Sequence, residues 1–176
     1  MKHVGFLFLI LLISSCAATK VNYDYDEAAD FSAYSTYAYF SDMETGLSQL
    51  DERRLLNAMD MTMQSKGLLF SEEPDMLVNI QSMVFQGQQN NAVGVGLGGG
   101  GGAMGGGISV GIPAGEPKAV RELKIDFVDA KKDLLLWQAV SESPFREGDT
   151  PIVKEQKMKE LIGKIFEKYP PKQRKQ

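Results

Sequence analysis

The side chains able to do chemistry in this chain are few, and their spacing narrows what they could do. The one histidine, His3, and the one cysteine, Cys16, both lie near the start, so beyond Cys16 there is neither imidazole nor thiol. That excludes imidazole general bases, Cys-His pairs and Ser-His-Asp triads from the body of the chain. It also excludes the usual zinc sites, which draw on His and Cys. Carboxylate, lysine, serine and tyrosine chemistry remains. Asp24 and Asp26 alternate on one strand face, ~7 Å apart from the strand rise, a spacing open to a cation or an acid/base pair. Neither the residue between them nor those that follow complete a calcium loop, so the pair reads as solvated. Met59, Met61 and Met63 suggest a soft-metal site, but helical geometry splits them between faces and favours packing. Gly94-x-Gly96-x-x-Gly99 has dinucleotide-binding spacing without the helix that spacing requires. Trp137 has apolar neighbours on both faces of a strand and reads as a core anchor before a ligand-stacking residue.

Cys16 is different, because its surroundings assign it a reaction. The chain opens MKHVGFLFLILLISSC, a basic start followed by an apolar run from Val4 to Ile13. That run is well short of the ~20 residues needed to cross a bilayer, and it reads as a secretory signal. Ile13-Ser14-Ser15-Cys16 resembles the lipobox of bacterial lipoproteins. The resemblance implies diacylglycerol on the Cys16 thiol, cleavage before it, and acylation of the new amino terminus. Two or three acyl chains, at ~0.8 kcal/mol per buried methylene, hold a protein on a membrane that one chain holds only marginally. Ala17-Ala18-Thr19-Lys20 carries no acidic residue, so neither the retention signal nor the surface-export signal known for lipoproteins is present. The expected location is the outer membrane, lipid-anchored, on its periplasmic face.

Removing residues 1 to 15 leaves 161 residues with 18 basic and 23 acidic side chains, a length that fits one domain. With no second cysteine there is no internal disulfide, although the compartment would permit one. The acidic balance argues against nucleic acid as a partner, which calls for a basic patch. The basic cluster Lys172, Arg174 and Lys175 lies in the tail, where cations suit a helix end and then trail into solvent.

The elements that must position any site are legible in part. Val21 to Tyr25 alternates as a half-buried strand, and Thr36 to Phe40 is rich in β-formers. Ser48 to Asp51 resembles a capping box, opening a helix with Leu55, Ala58, Met59, Thr62 and Met63 on one side and a Lys66-Gly67 stop. Met76 to Phe85 reads as a strand. Between Met76 and Gly115 there is no charged residue, and Gly94 to Gly111 holds eleven of the 18 glycines. Its flanks alternate apolar residues with glycine or serine, as two arms of a hairpin would. Ordering so much glycine costs backbone entropy, so a mobile tip is expected. Leu123 to Phe127 and Leu134 to Val140 form a hairpin around Asp129 to Asp133. Thr150-Pro151 starts a helix whose stripe is Met158, Leu161, Ile162, Ile165, Phe166 and Tyr169, ended by Pro170-Pro171.

The expected fold is therefore α+β: an antiparallel or mixed β-sheet of about five strands, two helices packed on one face, and a glycine-rich hairpin or loop. The expected organisation is a signal peptide over 1–15, a lipidated tether over 16–20, one domain over 21–170 with a glycine-rich insert at 87–117, and a basic tail over 171–176. The strings DYDEAADFSAYSTYAYF, LDERRLLNAMDMTMQSKG, PDMLVNIQ, LKIDFVDAKKDLLLWQAV and KIFEKYPP, taken in order, are similar to the bacterial lipoprotein family of domain of unknown function 4136. Tyr39 stands where that family suggests a tryptophan. The resemblance implies an envelope lipoprotein with an α+β domain. It brings no activity, no catalytic residues and no cofactor.

Function is thereby expected to be non-enzymatic: a membrane-anchored module for protein interaction or assembly. Its partners would be the bilayer through acylated Cys16, and an envelope protein or a second copy through the glycine-rich segment. The alternatives are a carrier or sensor of an apolar small ligand, and a carboxylate-based hydrolase of envelope glycan with two carboxyls ~5 to 9.5 Å apart. The anchor is directly testable. Cys16→Ser is expected to lose acylation and either leave the membrane or persist as precursor, with the domain still folded. Normal processing of that variant, with retention on membranes through a high-salt wash, would refute the lipobox reading.

Overall fold

In a computed structural model, residues 19–86 and 119–172 are described, and they form an α+β domain built on a six-stranded mixed sheet. The strands are β1 (Lys20–Tyr25), β2 (Thr36–Tyr39), β3 (Leu69–Phe70), β4 (Met76–Gln86), β5 (Ala119–Asp129) and β6 (Leu135–Pro144). Helix α1 spans Gln49–Ser65 and helix α2 spans Pro151–Ile165, and short 3-10 turns lie at Phe31–Ala33 and Phe166–Lys168. The sheet order is β1-β6-β5-β4-β2-β3.

Both helix starts follow the expected chemistry. The Ser48 hydroxyl accepts from the Asp51 N–H, and the Thr150 hydroxyl accepts from the Val153 N–H with Pro151 in the first turn, each satisfying an amide that the helix itself cannot. Asp51 does not close the reciprocal half of a capping box. Its carboxylate turns instead to Arg54 at 2.7 Å and Arg121 at 3.7 Å. Helix α1 stops at Gly67, whose φ of +84° suits a residue without a Cβ.

Cross-strand register assigns the faces. Tyr23, Ala139, Ile125 and Ile80 form one row, and Tyr25, Trp137, Phe127 and Val78 the next. Because side chains alternate along a strand, these rows define one inner face. Leu55, Met59 and Met63 of α1 and Met158, Leu161, Ile162 and Ile165 of α2 join the same buried cluster. Trp137 sits 5.0 Å from Phe127, 5.7 Å from Phe166 and 5.3 Å from Tyr169, centroid to centroid, within the range where aromatic pairs add to simple burial. The aromatic residues just past α2 thus fasten that helix to the sheet.

The sheet takes the mixed form of the two expected, because β2 runs parallel to both β3 and β4, and it has one strand more than the five expected, β3, only two residues long. A two-residue strand presents no period to read. The β1 and β2 segments are not neighbours but lie on opposite sides of the β4-β5-β6 meander. The expected glycine-rich hairpin lies outside the described residues; its two ends, Gln86 and Ala119, are directly paired across β4 and β5. Phe166→Ala is expected to cost about 3–5 kcal/mol of folding stability, the range for truncating a buried aromatic. Chemical denaturation would read this, and a loss below ~1 kcal/mol would show that the ring cluster does not hold α2.

Candidate functional site

Three groups of polar residues brace the domain, and their donors show what each carboxylate is occupied with. The Asp75 carboxylate accepts four hydrogen bonds, from the backbone N–H and the hydroxyl of both Ser35 and Thr36. These bonds hold it below the usual carboxylate range, the Ser35 amide first. Tyr37 and Tyr39 both donate to Asp60 Oδ1, at 2.7 and 2.6 Å, which clamps α1 onto β2. Burial, and then those bonds to an acceptor, push both phenols above their ordinary value.

At the β5-β6 turn, Tyr34 donates to Asp129 Oδ2 at 2.7 Å, and the Lys131 and Lys132 amides donate to Oδ1 at 2.9 Å. The Tyr34 bond, followed by the Lys132 amide, lowers Asp129 to about 2. Burial and the same hydrogen bond raise Tyr34 to about 12. Each of these carboxylates stabilises a connection between distant chain segments.

At the opposite end of the sheet, Arg121 projects from the inner face of β5 onto the first turn of α1. Its guanidinium carbon lies 4.0 Å from the centre of the Phe145 ring, and its side chain is 12% exposed. Its Nε has no hydrogen-bond partner among the described residues. Burial lowers its basicity, opposed by the Asp51 charge. Next to this brace, β4 continues past its pairing with β2. Met83, Val84 and Phe85 are exposed there at 63%, 49% and 38%.

The outer face of the sheet carries Asn22 and Asp24 of β1, Gln138 and Glu142 of β6, Glu122, Lys124 and Asp126 of β5, and Asn79 and Gln81 of β4. Both helices pack on the inner face, so no helix covers this one among the described residues. Asp126 is nonetheless buried by its own neighbours, with Lys124 Nζ at 3.2 Å and Gln138 Nε2 at 2.7 Å. Leu77, Met83, Phe85, Val120, Val128 and Val140 share the face by the same register, so the result is a surface of mixed polar and apolar groups rather than a cleft.

The residues singled out by sequence fall as follows. Cys16, His3, the Gly94-Gly96-Gly99 string, Arg174 and Lys175 lie outside the described residues, while Lys172 is exposed. Asp24 Oδ1 accepts from the Tyr25 N–H within β1, and Asp26 Oδ1 from the Ala28 N–H in the turn that follows. Met59 and Met63 are buried and Met61 is 62% exposed, which separates the methionine triplet as helical geometry requires. Trp137 is wholly buried. No group of three or more potential metal ligands occurs among the described residues, and no helix among them is long and apolar enough to cross a membrane. Sequence reasoning missed the Tyr37-Asp60-Tyr39 clamp and the Arg121 brace. An arginine in register with inner-face residues of a strand was the available signal for the second.

The depressed pKa of Asp129 stabilises the fold above its ordinary value near 3.8, and that contribution disappears as pH falls toward about 2. Tyr34→Phe removes the largest cause. The variant is expected to titrate Asp129 closer to 3.8, to be less stable than the parent chain at neutral pH, and to lose less further stability as pH falls from about 4 to about 2. Carboxyl-carbon NMR titration measures this directly, and an unmoved Asp129 curve would refute the assignment.

Comparison with known proteins places the chain in a family. Residues 21–171 match the family described as domain of unknown function DUF4136, and the chain belongs to it. A search of curated sequences returned no match. Among solved structures, the fold is similar to a PDZ domain protein from Parabacteroides distasonis at 12% identity and a TM-score of 0.56. That alignment covers 98% of this chain and 41% of the other, so this chain spans less than half of that protein's length. It is also similar to PelC from Paraburkholderia phytofirmans, described as a dodecamer, at 11% identity and a TM-score of 0.49, covering 90% of this chain and 100% of that one.

Proposed function

We propose that this member of the DUF4136 family is a lipid-anchored envelope module that binds a partner protein without catalysing a reaction. The observation that carries the reading is the asymmetry of the sheet. Its inner face is packed with fully buried side chains, among them Trp137, Phe127, Phe166, Ile162 and Met59. Its outer face carries a band of amide and charged groups from Asn22 and Asp24 across to Asn79 and Gln81, and has no helix over it among the described residues. A carrier of an apolar ligand needs a concave apolar site of about 300 Å³ or more, whereas the helix-sheet layer here is occupied by the protein's own rings. A glycan hydrolase needs one protonated and one ionised carboxyl flanking a groove. The well-defined carboxylates here are tied to tyrosines, arginines or backbone amides. The outer face, by contrast, offers amide and charged groups on a rigid sheet, which suits a protein surface with matching donors and acceptors.

The lipid anchor at Cys16 and the outer-membrane location belong to the same proposal and rest on the signal and lipobox residues. A photo-crosslinking amino acid at Gln81, exposed on the outer face, is expected to trap a discrete adduct in intact cells. The same group at Glu160, exposed on α2, is expected to trap none. Adducts from Glu160 alone, or none from either position, would refute the assignment of the outer face.

A further inference from the structure

The register of the sheet fixes which end of the domain meets the anchor. Lys20, Glu142, Glu122 and Met83 stand in one row across β1, β6, β5 and β4. Lys20 is four residues from Cys16, so at most ~14 Å separates the two. From that row β4 runs on through Val84, Phe85 and Gln86, about 10 Å of strand, in the direction from which β1 enters. The strands that project farthest toward the anchor are therefore β4 and β5, whose ends Gln86 and Ala119 are paired, and β4 carries exposed Met83, Val84 and Phe85. The first turns of both helices lie at the same end. Asp51 of α1 reaches Arg121, one step from the Lys20 row, and α2 begins at Pro151, shortly after β6 ends at Pro144 beside Val120. Leu50 and Ile152 in those turns are 60% and 79% exposed.

We propose that this end of the domain rests on the bilayer, with Met83, Val84, Phe85, Leu50 and Ile152 seated at the level of the lipid headgroups. The proposal rests on the anchor reading and adds the orientation and contact residues. Distance from the anchor separates this end from the other, because charged residues stand at both. Leu69, Phe70, Leu134 and Leu135 are also exposed, but they lie away from Lys20, among Glu72, Glu73, Lys131, Lys132 and Asp133. At the anchor end β4 is uncharged from Met76 onward, while Lys20, Glu122 and Glu142 share the Met83 row and hold the contact at headgroup level, since charged groups are costly to bring into the hydrocarbon. The depth is limited by the backbone. Bonds from Phe40 N to Val78 O and from Ser82 N to Thr45 O show that even-numbered residues of β4 point their amides away from β5. No partner for the Val84 and Gln86 backbone groups on that side lies among the described residues, and backbone groups cannot enter the hydrocarbon unpaired. Contact is interfacial, as for the apolar side of a monotopic protein. The glycine-rich segment, leaving at Gln86 and returning at Ala119, is attached at the membrane end. The start of the basic tail follows Tyr169, packed against Phe31 and Trp137 near the opposite end.

The test uses the full chain, processed in cells and reconstituted into phosphatidylethanolamine and phosphatidylglycerol vesicles. Acylation consumes the only native thiol, so Met83→Cys and Lys131→Cys each supply one site for a nitroxide label. The label at 83 is expected to collide several-fold more with oxygen, relative to a water-soluble nickel complex, than the label at 131. A vesicle-bound, acylated chain with equal accessibility at both positions overturns this proposal and leaves the anchor intact. A chain that mass spectrometry shows to be unacylated overturns the anchor, and Met83→Cys in a Cys16→Ser background, labelled and mixed with the same vesicles, then decides the contact alone. Dipolar broadening between labels at 83 would assign the patch to a second copy and overturn the lipid contact.

Discussion

The stacking of Trp137 against Phe127, Phe166 and Tyr169 is the contact on which the rest of the domain depends. A sheet with one apolar face is unstable in water until something covers that face. The cover here comes from two helices separated by almost the whole sheet in sequence. Helix α2 is held at its C-terminal end by the rings of Phe166 and Tyr169, and α1 packs beside it with Leu55, Met59 and Met63. Without the aromatic cluster, α2 would keep only a stripe of aliphatic side chains, and the inner faces of β5 and β6 would open to water.

Polar contacts do the complementary work of choosing one arrangement among the compact ones. The β1-to-β2 connection has to carry the chain from one edge of the sheet past the meander to the other side. Tyr34, Ser35 and Thr36 tie that connection to Asp129 and Asp75. Tyr37 and Tyr39 then tie β2 to Asp60 on α1. In each case an aspartate receives donors from a segment about 20 to 95 residues away in sequence, and the demand for buried hydrogen bonds to be satisfied leaves little freedom of register. Arg121 plays the same part at the other end, between β5 and the start of α1.

Much of the secondary structure was legible because it rests on local signals. Ser48 and Thr150-Pro151 mark helix starts by hydrogen-bond chemistry that acts within three residues. The α2 stripe and the alternation through Leu123, Ile125 and Phe127 follow directly from geometry. What was illegible is non-local. The parallel pairing of β2 with β4 joins residues some 40 positions apart, with no periodic mark in either strand, and β3 exists only because Leu69 and Phe70 fall beside β2. The carboxylate clamps were invisible for the same reason: Asp60 is an exposed helix residue whose tyrosine partners come from β2, some 20 positions away in sequence. The candidate surface was legible in composition, as a long uncharged stretch after Asp75, but its orientation came only from cross-strand register.

Trp137 is the chain's single tryptophan, and its place in the ring cluster makes it an intrinsic optical probe of one event. Indole emission depends on local polarity and on neighbouring rings, so here it reports whether the end of α2 is docked on the sheet. The exposed β4 tip lies toward the other end of the sheet, outside that cluster. Spectral changes during unfolding would therefore track closure of the core, separately from events at the membrane-facing end, without any added label.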